Sequence, residues 1–399
     1  MPVGQDRLSG LIREGLPQGE TVGIALSGGG DSTALLHLAL RAGLTVEAVT
    51  VDHRLRPESA AEAQKVAAAC AALGIRHEIR VWEHGAVPGN LMDAARRARM
   101  GLIAGWAAAR GIRTVALGHT RDDQAETVLM GLARAAGLAG LSGMRPVWQE
   151  AGVEFRRPLL AAGRAELRDW LSAEGIGWID DPTNENDRFA RTRARRALAA
   201  LAPLGVTASR LAEVAGHLAR VQEALAAQVA SVARRDVDER AGALRLDARL
   251  WSEPAEVQRN VVIAGLKWLS PSDYAPRASE TARIGRALAA GGDATLAGCR
   301  ARAGWLMREP RALGGPVPVG ELWDGRWRVE GPDGEVRALG AEGLRQVSDW
   351  RATGLPREVL QVTPGVWQGD RLLAAPLAGC GEGWQAKLDR PFHLFGLSD

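Results

Sequence analysis

Val22-Gly23-Ile24-Ala25-Leu26-Ser27-Gly28-Gly29-Gly30-Asp31-Ser32-Thr33-Ala34-Leu35-Leu36 decides the fold. The apolar run Val22 to Leu26 reads as a buried strand, three glycines interrupt it, and Thr33 to Leu40 continues with helical spacing. Strand, glycine loop and helix start form an anion cradle. The glycines turn tightly and leave N–H groups bare, and the helix N-terminus adds partial positive charge. Ser27, Gly28, Gly29, Gly30, Asp31 and Ser32 are therefore candidate nucleotide-binding residues. A Walker-type loop would end in Gly-Lys-Ser/Thr and bring a lysine to the phosphates. This one ends in Asp31-Ser32, which points away from phosphoryl-transfer ATPases. Gly-Gly pairs more often mark plain turns, but the position between strand and helix favours the nucleotide.

Working outward, the apolar runs Val46 to Val51, His77 to Val81 and Thr114 to Leu117 are separated by helix-sized segments, a parallel α/β pattern. A fifth strand is expected near Phe155 to Leu159, followed by a helix over Ala165 to Glu174. Ligands of such sheets gather beyond the carboxyl ends of the strands. Those ends carry Ser27, then Asp52 and His53, then Gly118 and His119, so distant residues are expected on one crevice.

Each of these ends opens a longer motif. Asp52-His53-Arg54-Leu55-Arg56-Pro57-Glu58-Ser59 follows the second run, and Leu117-Gly118-His119-Thr120-Arg121-Asp122-Asp123-Gln124-Ala125-Glu126-Thr127 closes the fourth. Asp180-Asp181-Pro182-Thr183-Asn184 precedes Phe189-Ala190-Arg191-Thr192-Arg193-Ala194-Arg195. The first loop resembles the S-G-G-x-D-S (PP-loop) of the N-type ATP pyrophosphatases, which adenylate a substrate and release pyrophosphate. The other three are similar to the H-x-L-R-x-E-S, G-H-x-x-D-D-Q-x-E-T and D-P-T-N with R-x-x-x-R segments of tRNA(Ile)-lysidine synthetases. Four motifs in order over residues 22–196 make a specific match; beyond about residue 205 the likeness is one of layout and length.

The resemblance implies an α/β chain. Its parts would be a parallel, Rossmann-like (adenine nucleotide α-hydrolase-like) catalytic domain over 1–205, a mostly helical tRNA-binding middle domain over 206–310, and a small mixed α+β C-terminal domain over 311–399 that contacts tRNA. It implies ATP-dependent ligation of L-lysine to C2 of the wobble cytidine of tRNA(Ile) with anticodon CAU. An adenylated cytidine would be the intermediate; lysidine, AMP and pyrophosphate the products. ATP would lie on Ser27 to Ser32, with Asp31 holding Mg2+ on its phosphates. Asp123 and Glu126 would recognise lysine, and Arg191, Arg193, Arg195 and Arg196 would meet tRNA phosphates. Asp31, His53, Arg56, Arg96 and Asp123 are the residues expected to serve catalysis. A homodimer is compatible with the resemblance.

Two rival classes are weighed against this one. A tRNA cytidine 2-thiolating enzyme shares the loop and the target atom but needs cysteines to handle sulfur, and Cys70, Cys299 and Cys380 are poorly spaced for it. A non-catalytic RNA-binding protein would have no use for an intact Asp31, Asp123 and Glu126.

The residues carry chemistry of their own. If Asp122 begins a helix, Glu126 lies one turn on, so carboxylates gather on one face and call for a cation, either magnesium on ATP or a substrate ammonium. The bland alternative is N-capping, since acids in a first turn complement the helix dipole. His53 and Arg56 supply donors beside the crevice, while Arg96 and Arg99, at i and i+3, can face one phosphate together. Met100 stands where the related A-R-x-x-R-Y helix has an aromatic. None of the seven histidines forms a His-x-x-x-His or His-Cys pair, so a zinc centre is rejected.

Composition sets outer bounds. With 399 residues, of which 46% are hydrophobic, the chain exceeds the usual single domain and can bury more than one core. No run of about eighteen apolar residues occurs, so a soluble cytoplasmic protein without a membrane role is expected. The net charge of +3 is too small to announce RNA binding, but nearly all of the positive charge is arginine, which suits bidentate phosphate contact. Leu211, Val214, Leu218, Val221 and Leu225 predict a long amphipathic helix, with further helices over Pro254 to Leu269 and Ala278 to Ala290. After Ala294, Trp323 to Val329 and Val366 to Leu373 read as strands, and the tryptophans from Trp305 to Trp384 read mainly as core.

Overall fold

In a computed structural model, residues 3–85, 89–180, 190–270 and 276–394 are described. The chain divides into two compact units, 1–222 and 223–399. The first holds a six-stranded sheet in the order β3-β2-β1-β4-β6-β5. Its elements are α1 (Val3–Gly15), β1 (Val22–Ala25), α2 (Gly30–Arg41), β2 (Val46–Asp52), α3 (Ser59–Ala72), β3 (His77–Val81), α4 (Leu91–Ala109) and β4 (Thr114–Leu117). There follow α5 (Arg121–Leu132), the single turn α6 (Leu138–Leu141), β5 (Val147–Glu150), β6 (Val153–Arg156), α7 (Arg164–Ala173), α8 (Ala190–Leu201) and the long α9 (Ala208–Asp236).

All neighbours in this sheet are parallel except the β5–β6 hairpin. The alternation of buried strand and crossover helix dictates that layout. Ala25 pairs with Val49 on one side and Leu117 on the other. The carboxyl ends of β1 and β4 are thus level, β2 runs three residues further to Asp52, and the strand order reverses between β1 and β4, where a crevice opens. The core is closed by Ile24, Leu35, Leu38 and Leu171 on one face and by Trp106, Ile103 and Phe155 on the other.

The fifth strand begins at Val153 rather than Phe155, and its antiparallel partner β5 was not expected. The turn between them is Ala151-Gly152, with φ of +49° and +78°. Both residues are left-handed, as a two-residue turn matching strand twist requires. Ala241-Gly242, Ala297-Gly298 and Ala303-Gly304 repeat the device in the second unit. They join β7 (Val237–Arg240) to β8 (Ala243–Leu246), and then β9 (Asp293–Leu296), β10 (Cys299–Arg302) and β11 (Trp305–Arg308) to one another. The result is an antiparallel sheet in the order β7-β8-β11-β10-β9, with α10 (Ala255–Leu269) and α11 (Ala278–Ala289) between β8 and β9 in sequence. The middle region is mostly helical, as expected, with a small antiparallel sheet added to the helices.

The unit boundary falls inside α9 instead of at 205, because Val229, Val232 and Ala233 from its second half belong to the core of the second unit. No compact unit ends at 310. Phe392 packs edge-on to Trp268 with ring centroids 5.4 Å apart, and Arg326 donates to the Gly242 carbonyl at 3.0 Å. Trp323 to Val329 and Val366 to Leu373 are each two strands around a turn: 322–323 with 327–330, and 364–368 with 371–374. Trp305, Trp323, Trp327 and Trp367 are buried, so they serve the core as expected. The apolar stripe expected along α9 is only partly used: Val214 and Val221 are exposed, and Ala215 is the buried position in that stretch. Among the described residues no single helix is long and apolar enough to cross a membrane.

Candidate functional site

The phosphate loop takes its shape from internal hydrogen bonds. Gly28, at φ +84°, presents its carbonyl to the Ile179 amide at 2.9 Å and the Thr33 hydroxyl at 3.2 Å. Ser32 Oγ donates to the Gly29 carbonyl at 3.0 Å and accepts from the Ser27 amide at 3.2 Å. The loop carbonyls are thereby turned to the protein. The first-turn N–H groups of α2 have no intrahelical acceptor, and no side chain caps this helix. By contrast, Asn90 caps α4 and Thr120 caps α5. An uncapped N-terminus beside a crevice suits an anion. Gly118 at the end of β4 approaches this turn so closely that a Cβ there would lie 2.9 Å from the Asp31 carbonyl and from Ser32 Cα.

Across the crevice, Asp123 is both a cap and a site residue. Its Oδ2 accepts from the Thr120 amide at 2.8 Å and hydroxyl at 2.9 Å, closing a capping box, while its Oδ1 points to arginines. Glu126, one turn on, is 1% exposed. Between these acids and Asp31 lies Arg164, the first residue of α7. Its Nε donates to Asp31 Oδ2 at 3.3 Å, Nη2 to Asp123 Oδ1 at 3.2 Å and Nη1 to Glu126 Oε1 at 3.1 Å. Sequence reading missed Arg164, because a single arginine in Gly163-Arg164-Ala165-Glu166 belongs to no motif. Its backbone N–H is pinned to Asp122 Oδ2 at 2.7 Å, which fixes where α7 starts against α5.

Arg191 and Arg195 come from α8. Arg191 Nη1 reaches Asp123 Oδ1 at 3.4 Å, and Arg195 Nε reaches Glu126 Oε1 at 2.6 Å. One helical turn separates them, so both face α5, whereas Arg193 and Arg196 are exposed. Burial presses the Asp123 carboxyl upward, but Arg164 and Arg191 outweigh it and hold it below the ordinary carboxylate range. Asp31 goes the other way: burial raises it, the Arg164 guanidinium opposes, and the negative Asp123 adds to the rise. Two buried oxygens, Asp31 Oδ1 and Glu126 Oε2, have no hydrogen-bond partner among the described residues. Glu126, Arg164 and Arg195 also line a cavity of about 280 Å3 whose other wall is aliphatic, from Leu198, Ala199 and Ala202.

A second, cationic cluster adjoins the first. Arg99 on α4 is half-buried, its Nε shielded and lacking a partner among the described residues, and burial together with Arg96 and Arg191 lowers its pKa to about 10. Arg157 is likewise lowered to about 9 by burial and by Arg96, Arg99 and Arg191. Repelling guanidiniums held together in partial burial form an anion site. Arg157 Nε donates to His119 Nδ1 at 3.0 Å, and since arginine is always the donor, His119 carries its proton on Nε2. Burial and Arg157 push the His119 pKa down to about 3, so the ring is neutral at physiological pH.

Of the sequence-derived candidates, Ser27, Gly28, Gly29, Gly30, Asp31, Ser32, Asp123, Glu126, Arg191 and Arg195 meet at one crevice. His53 lies at its edge, its Nδ1 buried without a partner among the described residues and its pKa lowered by burial and by Arg99. It sits in a loop held by Asp52 Oδ1, which accepts from the Arg54 amide at 2.9 Å and Ser59 Oγ at 2.7 Å, with Arg54 at φ +50°. Arg56 is bound to Glu62 of α3 at 2.9 Å. Arg96 is exposed on α4, and Arg99 is the deeper of that pair. Asp181, Pro182, Thr183 and Asn184 lie outside the described residues. Cys70 and Cys299 are buried, and burial pushes their thiols up to about 11 and about 12, the reverse of the thiolate that sulfur transfer needs.

Residues 3–202 match the PP-loop domain family. A tRNA(Ile)-lysidine synthase of Ruegeria pomeroyi is 46% identical over 92% of this chain and 91% of its own length. The chain belongs to the tRNA(Ile)-lysidine synthase family. A second lysidine synthase, from Brucella anthropi, is 34% identical over 96% of this chain and 91% of its own. The solved U34-tRNA thiolase NcsA of Methanococcus maripaludis aligns at a TM-score of 0.48 and 16% identity over 54% of this chain and 79% of that one, too distant to bear on chemistry. At these coverages the likeness to the two lysidine synthases extends beyond the PP-loop half into the second unit.

Proposed function

We propose that this protein joins L-lysine to C2 of the wobble cytidine of tRNA(Ile) with anticodon CAU at the expense of ATP, in the cytoplasm. The observation that carries the site assignment is the meeting of an uncapped phosphate loop with Asp123 and Glu126, beside a cavity in which Glu126 and Asp122 face an aliphatic wall. A lysine side chain needs both: methylenes against Leu198, Ala199 and Ala202, and the ammonium on Glu126 of the same cavity and on Asp123, which Arg164 ties to it. The ATP phosphates rest on Ser27 to Ser32. Asp31 Oδ1, a buried hard oxygen without a partner among the described residues, fits one ligand position of magnesium. Among the described residues no three acidic, histidine or cysteine groups form a cage, as suits an ion held mainly through substrate phosphates. Such an ion neutralises phosphate charge when bound.

The cytidine O2 attacks the α-phosphorus, pyrophosphate leaves, and the oxygen becomes part of a good leaving group. The lysine amine then bonds to C2 and AMP departs. Arg99 and Arg157 stabilise the negative charge that builds at the α-phosphate, a task for which their partly shielded, mutually repelling charges suit them. His119 offers its Nε2 proton as a neutral donor and cannot serve as an acid, because Arg157 occupies Nδ1. The wobble base has to leave the anticodon stack to enter. Incubating the protein with ATP, lysine and tRNA(Ile), then measuring the mass of the digested nucleosides, tests the reading. A cytidine heavier by lysine minus water is expected; an unchanged or sulfur-bearing cytidine would overturn it.

A further inference from the structure

Arg164 stands where two substrates are to bind. Its guanidinium touches Asp31 on the nucleotide side and Asp123 and Glu126 on the amine side, and it is largely shielded from solvent. Three carboxylates, Asp31, Asp123 and Glu126, face three guanidiniums, Arg164, Arg191 and Arg195. Within this set the charges balance, and Asp122, whose Oδ2 accepts the Arg164 amide, adds a further carboxylate at the cavity. Asp123 Oδ1 and Glu126 Oε1 are each shared by two guanidiniums already, so an ammonium that takes these oxygens as a third cation is repelled unless one guanidinium moves away. Arg191 and Arg195 each hold one of these carboxylates, whereas Arg164 joins the amine-side pair to the phosphate loop.

We infer that Arg164 couples the two sites: nucleotide binding draws its guanidinium off Glu126 and Asp123 and so opens the amine site. This rests on the assignment of lysine to Asp123 and Glu126 made above. The nucleotide brings net negative charge to the loop even with its magnesium, and Arg164 Nε already lies against Asp31 in that loop. The phosphates thus offer this guanidinium a bidentate anion at the moment when Asp31 is claimed by the metal. Its two Nη groups then leave Glu126 Oε1 and Asp123 Oδ1, which the ammonium takes over. Lysine cannot be captured productively before ATP is in place. Coupling of this kind is reciprocal, so lysine tightens nucleotide by the same factor.

Calorimetric titration of the full chain with L-lysine, with and without magnesium and α,β-methylene-ATP, tests the inference. The analogue cannot lose pyrophosphate, so only binding is read. For the unaltered protein the nucleotide is expected to lower the lysine Kd at least about fivefold, the low end of measured site-to-site couplings. In Arg164→Met the same nucleotide should change it less than about twofold, with lysine binding without nucleotide at least as tightly as to the unaltered nucleotide complex. Arg164→Lys keeps the charge but cannot bridge three carboxylates, and should show reduced coupling; nucleotide binding by both variants reports that the loop is folded. Coupling that survives in Arg164→Met, or is absent from the unaltered protein, overturns the inference. Lysine that fails to bind the unaltered protein at all, with or without nucleotide, overturns instead the assignment of the amine site.

Discussion

Asp123 shows why a single acidic residue resists a one-role reading. One oxygen closes the cap of α5 and the other meets the arginines, so the capping and ligand readings are compatible, each at its own atom. Glu126 is not bound by a cap and is buried with one oxygen unpartnered among the described residues, which makes it the cleaner probe. Glu126→Gln removes the charge with little change of shape. It should raise the lysine KM by roughly ten- to a hundredfold, the weight of a hydrogen bond to a charged group, and leave the ATP KM within a factor of about two. Equal rises in both KM values would mean that Glu126 serves the architecture. Asp31→Asn is expected to cut turnover by about a hundredfold or more, since it removes a charge at the point of phosphate chemistry, while far-UV circular dichroism stays unchanged. Lysidine formation near the unaltered rate would remove Asp31 from the metal role.

At the scale of elements, the fold was legible where a signal is contiguous and obscure where it is spread. The loop between β1 and α2, and the sequence from Gly118 to Thr127, each announce a strand end and a helix start within a dozen residues. The arginines of α8 were legible as a group but not in their division, which comes from helical geometry: Arg191 and Arg195 turn inward and Arg193 and Arg196 outward. Arg164 could not be found because its importance lies in three partners that are 133, 41 and 38 residues away. The β7–β8, β9–β10 and β10–β11 hairpins of the second unit were missed for a chemical reason. Their turns use Ala-Gly, whereas the recognisable signal is Asn-Gly or Asp-Gly, because alanine carries a steric penalty at positive φ. That penalty predicts a gain. Ala151→Asn, at an exposed turn with φ +49°, should stabilise the protein by roughly 0.5–1 kcal/mol, raising the Tm by a few degrees in differential scanning calorimetry; a lowered Tm would mean that this turn is not left-handed at Ala151. Gly118→Ala tests a contact between elements, since its Cβ would strike the backbone of Asp31 and Ser32. It should weaken nucleotide binding at least about tenfold and destabilise by about 1–3 kcal/mol, and unchanged nucleotide affinity would separate β4 from the loop.

The whole molecule has to hold an RNA many times longer than the crevice, and its charge of +3 leaves that task to where the arginines lie. Arg191 and Arg195 are bound to carboxylates of α5, so a phosphate would have to compete with Asp123 and Glu126 for them. Arg193 and Arg196 lie on the exposed side of the same helix. The expected division follows from counterion release. Removing one arginine–phosphate interaction lowers the log–log salt slope of binding by about 0.7–0.9. The double variant Arg193→Ala with Arg196→Ala should therefore flatten the slope for tRNA by about 1.5 and weaken binding to every tRNA alike, since phosphate contacts position an RNA without reading its sequence. Lysine and ATP affinities should not move. Arg195→Ala should do the reverse, altering the lysine Kd with little change of slope, because its partner is Glu126. Filter binding over a salt series, paired with lysine calorimetry, reads both halves. A slope change of similar size in Arg195→Ala would move the RNA backbone inward, over the amine site itself, and the exposed pair would then be a solvated helix face.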